Sequence, residues 1–204
     1  MRNDQNKTEL FKYLGDQSVT LECDEGQKVI SSKEKHVLCS ISGENLSRIS
    51  PCNHEEADSQ ILLHVADMAE EGIGKIMIRT VDTDVVVLAV ANYPKHPVEQ
   101  LWLRFGAGKS FRYLPAHVIA SQLGAAKSSA LPAFHAISGC DQTSAFASKS
   151  RETAWETWKL YDGVTVAFQT LSHIPPEDKI SEVMPLIEKF VVLNCTTGQV
   201  LVKL

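Results

Sequence analysis

The stretch that decides the fold is Lys75-Ile-Met-Ile-Arg-Thr-Val-Asp-Thr-Asp84, which runs directly into Val85-Val-Val-Leu-Ala-Val90. The first segment predicts a buried β-strand that ends at two aspartates, because a short apolar run reaches Asp82. The second segment fits either more strand or a helix that leaves the acidic turn, and β-branched residues alone do not decide between them. In both cases two carboxylates stand at the end of a buried strand.

Acidic residues form three separated clusters along the chain: Glu56 with Asp58, Asp82 with Asp84, and Asp141 alone. Carboxylates at the ends of buried strands converge on one edge of a sheet, where they repel one another unless a cation joins them. Mg²⁺ and Mn²⁺ prefer such oxygen ligands, and two ions about 3.5–4 Å apart hold both the attacking and the leaving oxygen of a phosphodiester. We therefore expect a two-ion site, with Asp82, Asp84 and Asp141 as the catalytic ligands.

Each cluster also has a purely structural explanation. Asp82 and Asp84 lie on the same face of an extended strand, but they equally fit an Asx-type turn that caps the next helix. Glu56 and Asp58 stabilise the positive end of a helix dipole. Asp141 fits an N-cap. The metal-site prediction therefore depends on the whole set rather than on any single member.

The charge balance argues both for and against a nucleic-acid partner. A formal net charge of −5 disfavours a large surface for nucleic acid, although bound cations would offset a carboxylate cluster. Basic residues also gather near the predicted site in sequence, and we predict that Lys109, Arg112, Lys149 and Arg151 contact DNA or RNA. Ordinary solvated surface charge explains each of these four equally well.

The remaining pattern predicts an α/β fold with a mainly parallel central sheet, flanked by helices and carrying an inserted β-hairpin around Gly106. Strands are expected near residues 29–30, 36–41, 101–105 and 110–114. Helices are expected over residues 10–14, 55–71, 115–123, 153–161 and 176–192, with a helix or strand over 131–137.

Cysteine usage and the chain start suggest an intracellular protein. The five cysteines include no Cys-x-x-Cys pair, so we expect isolated thiols, with Cys140 a small buried one. The histidines, His135 among them, fit packing or surface roles better than metal ligation. No run is long enough to cross a bilayer and no secretory signal is visible, so no membrane partner is expected, and the nucleus is favoured over the cytoplasm.

The order of the acidic segments resembles the flap-endonuclease branch of the PIN-like nucleases. That branch has a Glu-Ala-Glu-Ala helix start, a Thr-x-Asp-x-Asp turn, a β-hairpin, and an apolar helix that ends in Gly-Ser-Asp. The corresponding segments here are Glu56-Ala-Asp58-Ser, Thr80-Val-Asp82-Thr-Asp84 and Gly139-Cys-Asp141. The same segments also resemble a group of uncharacterised animal proteins that carry Glu-Glu-Ala-Asp, Asp-Thr-Asp and Gly-Cys-Asp in this order.

The resemblance implies a domain organisation. Residues 50–160 would form a PIN-like core and residues 161–204 a C-terminal helical extension. Residues 1–49 would be a polar remnant of an upstream part, because the family's N-terminal aspartates have no counterpart on a strand here. The family's glycine-rich helix–hairpin–helix, which grips the duplex backbone, also has no glycine in residues 143–151.

Three functions follow from these observations. The leading one is a Mg²⁺- or Mn²⁺-dependent phosphodiesterase for DNA or RNA, with Glu56 and Asp58 as direct or indirect ligands. The alternative is a catalytically inactive PIN-like module that binds nucleic acid or a protein. The third is a haloacid-dehalogenase-like phosphatase, in which Asp82 attacks the phosphate and Asp84 acts as general acid. That third function lacks the Gly-Asp-x-x-x-Asp-like metal motif expected downstream.

Overall fold

The computed structural model describes residues 4–21, 23–33, 36–51, 57–96, 98–140, 143, 146, 149–173 and 175–200. Its contacts divide the chain into two compact units, Met1–Glu71 and Gly72–Leu204. Each unit has a hydrophobic cluster of its own.

The first unit combines an antiparallel pair of strands with two helices. Its elements are α1 (Asp4–Ser18), β1 (Ile30–Lys33), β2 (His36–Cys39) and α2 (Ala57–Glu70). The two strands pair antiparallel, with Ile30 opposite Cys39. Val37 and Ile49 are buried at the centre of the small cluster, and Leu63 of α2 packs against them. The short strands and the helix before residue 71 are as the sequence predicts, whereas α1 is longer than the predicted stretch.

Ion pairs tie the loop after β2 to α2 within this unit. Arg48 Nε donates to Asp67 Oδ1 across 2.6 Å, and Asp67 is only 6% exposed. Lys28 Nζ donates to Glu44 at 2.9 Å and to Glu71 at 2.7 Å. These hydrogen bonds, first to Glu71 and then to Glu44, raise the pKa of Lys28 above its ordinary value. The buried Asp67 carboxylate therefore has a cationic partner in Arg48, which offsets part of the cost of burying it.

The second unit contains a three-stranded sheet flanked by helices. Its strands are β3 (Lys75–Thr80), β4 (Gln100–Phe105) and β5 (Arg112–Pro115), and they lie in the order β3-β4-β5. β3 runs parallel to β4, and β4 runs antiparallel to β5. The α/β class is therefore confirmed. The sheet is mixed rather than mainly parallel, because the short connection around Gly106 joins β4 to an antiparallel neighbour.

One face of this sheet is buried. In β3 the side chains of Ile76 and Ile78 are buried, and in β4 those of Leu101 and Leu103 are buried. The intervening positions point to the other face, where Met77 is 60% exposed. The alternation along β3 is that of a strand covered on one side, so this strand is less enclosed than its apolar sequence suggests.

The two helices that follow the strands complete the packing around the sheet. α3 (Thr83–Asn92) occupies the segment for which the sequence left strand and helix open, and it packs against α4 (Ala116–Ser138). α4 in turn packs against β4. At Gly124 the backbone of α4 has φ 78° and ψ 161°, which is a kink in a conformation open to glycine. The helix end predicted after residue 123 is therefore confirmed as a break at Gly124, and a second helical segment of α4 covers residues 131–137.

Three further helices form an aromatic-rich core in the second unit. They are α5 (Arg151–Leu160), α6 (Thr165–Leu171) and α7 (Glu177–Val200). Their buried faces meet α4 in an aromatic cluster that consists of Phe134, Trp155, Trp158, Phe168 and Phe190. The helices predicted over 153–161 and 176–192 are thereby confirmed, with slightly different ends. Among the described residues, no helix combines the length and apolar character that crossing a bilayer would require.

Candidate metal centre

The turn between β3 and α3 places two carboxylates close together. Asp82 is the N-cap of α3, with φ −93° and ψ 131°, and its Oδ1 accepts a hydrogen bond of 2.8 Å from the backbone N–H of Asp84. The backbone N–H of Asp82 donates to Thr80 Oγ1 at 3.0 Å. The capping interpretation of this turn is therefore confirmed: β3 ends at Thr80, and Asp82 and Asp84 do not share a strand face.

This capped turn concentrates negative charge. A carboxylate oxygen of Asp82 and one of Asp84 lie within 4.8 Å of each other. The start of α3 relieves part of the repulsion, because the N-terminus of a helix carries a partial positive charge. Opposite charge from a cation would relieve it further, and carboxylate oxygens are the donors that hard divalent cations prefer.

A histidine from another helix contacts this turn. His135, near the end of α4, places Nε2 at 2.7 Å from Asp84 Oδ1. The side chain of His135 is 12% exposed and that of Asp84 is 31% exposed. The contact is therefore sheltered from water on the imidazole side, and the close packing of α3 against α4 holds both partners in place.

A thiol completes the group of side chains around Asp84. The Sγ atom of Cys140 belongs to a set with Asp84 and His135, in which one donor atom from each residue lies within 4.8 Å of the other two. Cys140 follows Gly139, whose φ of 100° turns the chain out of α4. A glycine is needed at this turn, since other residues rarely adopt positive φ.

Thr143 fixes the position of Cys140. Thr143 Oγ1 accepts a hydrogen bond of 3.0 Å from the backbone N–H of Cys140 and lies 3.3 Å from its Sγ. The same hydroxyl donates to the carbonyl of Ala136 at 2.6 Å. The hydroxyl thus bridges the end of α4 and the thiol, which limits the directions that the Cys140 side chain takes.

A small pocket adjoins the aspartates, and an arginine side chain forms part of its lining. Its volume is about 260 Å³, and its lining among the described residues consists of Val81, Asp82, Thr83, Asp84 and Arg151. The Arg151 guanidinium donates from Nε to the Gly139 carbonyl at 3.0 Å, and its Nη2 donates to the same oxygen. Ser150 caps α5 through a hydrogen bond from the Thr153 N–H, so Arg151 stands at a well-defined helix start.

The other residues predicted for the site have varied positions. Glu56 and Asp141 lie outside the described residues. Asp58 lies in the first turn of α2, in the first unit.

The four basic residues predicted to contact nucleic acid are spread along the second unit. Lys109 is exposed in the connection between β4 and β5, and Lys149 directly precedes the N-cap of α5. The exposed Arg112 of β5 has its guanidinium carbon 5.6 Å from the Phe105 ring. Of the four basic residues, Arg151 is the one that lines the pocket with the aspartates.

Sequence reasoning missed two members of this site. His135 was expected to serve packing, and Cys140 was expected to be a small buried thiol. The structure places both beside Asp84, and Cys140 is only partly buried. The sequence pattern that could have indicated His135 and Cys140 as metal ligands is a histidine in the last turn of an apolar helix, followed by a glycine that ends the helix and then a cysteine.

No family model, curated protein or solved structure matches this chain. The PIN-like relationship accordingly remains a prediction from the sequence motifs.

Proposed function

We propose that this protein is a divalent-metal-dependent phosphodiesterase that cleaves DNA or RNA. The observation that supports the proposal best is the pairing of Asp82 and Asp84 at the carboxyl end of β3, within 4.8 Å of each other and beside Arg151 in one pocket. Ligand sites of open α/β sheets lie at the carboxyl ends of the strands, which is where this pocket opens.

In this proposal the two aspartates and Arg151 have different roles in phosphodiester cleavage. Asp82 and Asp84 would hold Mg²⁺ or Mn²⁺, and the ion would supply a water of lowered pKa and neutralise charge on the phosphate. Arg151 is positioned to contact a non-bridging phosphate oxygen. A guanidinium has five N–H donors, and the bonds from Arg151 to Gly139 use two of them. The capped turn keeps the two carboxylates in place before any ion binds.

The decisive experiment measures cleavage by the purified chain in Mg²⁺ or Mn²⁺. Branched duplex DNA, single-stranded DNA and single-stranded RNA are the substrates. The test variant is the double substitution Asp82→Asn/Asp84→Asn, in which the amide introduced at position 82 retains an acceptor oxygen for the helix cap. The control is Glu152→Gln, which removes an exposed carboxylate from the first turn of α5. Wild type and the control should cleave, and the double variant should fall to the metal-free background.

Equal cleavage by wild type and the double variant would refute the proposal, since a contaminating nuclease would then account for the activity. Isothermal titration with Mn²⁺ adds a direct readout of the site. Wild type and Glu152→Gln should bind the ion with equal affinity, and the double variant should not bind it.

A second candidate function is a catalytically inactive module that binds nucleic acid or protein. The observation that favours it is that both aspartates already have structural partners, since Asp82 caps α3 and Asp84 contacts His135. This candidate predicts Mn²⁺ binding without any cleavage, even at high protein concentration. Metal-dependent cleavage that disappears in the double variant would exclude it.

A further inference from the structure

We propose that Asp84, His135 and Cys140 form a binding site for a thiophilic divalent ion of the Zn²⁺ class. The site differs in chemistry from the oxygen-only site proposed for Mg²⁺, although both use Asp84. The inference rests on the identity and the spacing of three donor groups. It does not require that the protein cleave nucleic acid.

The donor set selects the type of ion. Cys140 offers sulfur, His135 offers an imidazole nitrogen and Asp84 offers oxygen, and the three donor atoms lie within 4.8 Å of one another. Thiolate and imidazole ligands favour Zn²⁺ and related transition metals, whereas Mg²⁺ takes oxygen donors and retains water. A mixed set of this kind therefore discriminates against the abundant Mg²⁺.

The spacing is close to that of a coordinated ion. Bonds of about 2.0–2.3 Å in a tetrahedron hold neighbouring donor atoms about 3.3–3.8 Å apart. His135 Nε2 and Asp84 Oδ1, now 2.7 Å apart, would separate by roughly 0.6–0.8 Å once a metal ion replaces the shared proton. Such a shift needs only small side-chain rotations, and a pair at the upper limit of 4.8 Å would have to close by roughly 1.0–1.5 Å.

Three separate backbone segments fix the donors. Asp84 stands in the first turn of α3, His135 near the end of α4, and Cys140 directly after the glycine turn. The hydroxyl of Thr143 lies 3.3 Å from Cys140 Sγ. Because this hydroxyl donates its single proton to the Ala136 carbonyl, it is placed to accept from the Cys140 thiol. Three protein ligands leave a fourth tetrahedral position for water.

Co²⁺ titration of the full chain tests the site, because tetrahedral Co²⁺ with a thiolate ligand absorbs in the visible and near ultraviolet. Under reducing conditions, wild type should develop both absorptions at one ion per chain, and Zn²⁺ should remove them. Substituting a residue that merely supports a metal ligand lowers affinity about 10–100-fold, so Cys140→Ser and His135→Gln should each weaken binding at least about tenfold. Cys140→Ser should also lose the sulfur-to-metal absorption.

Matched controls separate this inference from the proposed function. Cys195→Ser replaces an exposed free thiol and should leave the titration unchanged. Asp82→Asn should retain the Co²⁺ spectrum while it impairs metal-dependent cleavage. Failure of cleavage with a normal Co²⁺ spectrum would count against the phosphodiesterase alone.

X-ray absorption of the zinc-loaded wild type gives a readout that no variant's folding affects. One sulfur neighbour at about 2.3 Å and nitrogen or oxygen neighbours at about 2.0–2.1 Å are expected. Absence of a sulfur neighbour, a Co²⁺ spectrum unchanged in Cys140→Ser, or no Co²⁺ binding by wild type would each overturn the inference.

Discussion

His135 Nε2 and Asp84 Oδ1 lie 2.7 Å apart, although the two residues are 51 positions apart in the sequence. The contact joins α4 to the first turn of α3, which directly follows the end of β3. Both proposals depend on this link, because it fixes the orientation of the carboxylate that they share.

The link should appear as an energetic coupling in a double-mutant cycle. We expect Asp84→Ala, His135→Ala and the double variant to give an interaction energy of about 0.5–3 kcal/mol when unfolded by urea in metal-free buffer. The physical reason is that, when either partner is removed, the remaining partner is still partly buried and has lost its hydrogen bond. Effects that add to within about 0.3–0.5 kcal/mol would contradict the coupling.

The buried amide of Asn194 predicts a stabilising substitution. Asn194 on α7 is fully buried, and within the described part of the chain its side-chain nitrogen and oxygen have no hydrogen-bond partner. A buried polar group of this kind costs about 1–3 kcal/mol. Asn194→Leu should therefore raise the free energy of unfolding by a similar amount, measured in urea.

The matched control for Asn194 is Asn92→Leu. The Asn92 side chain donates to the Leu88 carbonyl at 2.9 Å, so its replacement should bring no gain. Unchanged or lower stability of Asn194→Leu would mean that the amide is satisfied in solution and that the prediction is wrong.

Much of the secondary structure could be predicted because its signals are local. The apolar run before Asp82 and the glycine after α2 are signals that extend over only a few residues. The pattern that predicts the helix ending at Leu160 is equally local. The segment after Asp84 was ambiguous because its β-branched side chains are buried in a helix, and burial comes from distant packing. The antiparallel pairing of β4 with β5 is also local, since a short connection around Gly106 joins the two strands, whereas the parallel pairing of β3 with β4 is a non-local choice.

The candidate site was only partly predictable for the same reason. Asp82 and Asp84 are adjacent to a strand end and were recognised from spacing alone. The approach of His135 and Cys140 to Asp84 depends on how α4 packs against α3, which no short motif records. Sequence chemistry therefore identified the carboxylates, and tertiary packing supplied the nitrogen and sulfur donors.

The aromatic cluster should contribute strongly to the stability of the second unit. Trp158 is 1% exposed, its ring centroid lies 4.8 Å from that of Phe134, and its Nε1 donates to Thr165 Oγ1 at 2.9 Å. Trp158→Ala should lower the free energy of unfolding by about 3–5 kcal/mol, because it leaves a large cavity. Leu160→Ala, at a position that is 81% exposed, should change it by no more than about 0.5 kcal/mol. Similar losses in the two variants, measured by chemical denaturation, would refute the assigned core.

His64 should make the first unit less stable in mild acid. Burial lowers the pKa of His64 below its ordinary value of 6.5, against an opposing effect of Asp67. Its Nε2 lies 2.9 Å from Ser32 Oγ. Because the folded pKa is depressed, the unfolded chain takes up a proton first as the pH falls through 6.5. Its contribution to stability is therefore complete above that pH and declines until the pH reaches the folded pKa.

The measurement for His64 compares wild type with His64→Gln between about pH 7.5 and about pH 5. The stability advantage of wild type over His64→Gln should shrink as the pH falls. His173→Gln, at an exposed position, is the control and should track wild type. An advantage that grows toward acid pH would reverse the sign of the effect and contradict the lowered pKa of the partly buried His64.

The connection between β4 and β5 should distinguish two glycines that both have positive φ. At Gly106, with φ 103°, a Cβ atom would lie 2.9 Å from the Ser110 carbonyl oxygen, which is too close for any ordinary contact. At Gly108, with φ 57°, nothing lies within 4 Å of the added atom. Gly108→Ala should cost at most about 1–2 kcal/mol, the ordinary penalty of a left-handed conformation. Gly106→Ala should cost at least about 1 kcal/mol more, because its backbone neighbours must also move. Thermal unfolding of the two variants checks this order, and equal losses would mean that the turn relaxes without disturbing the strand pairing.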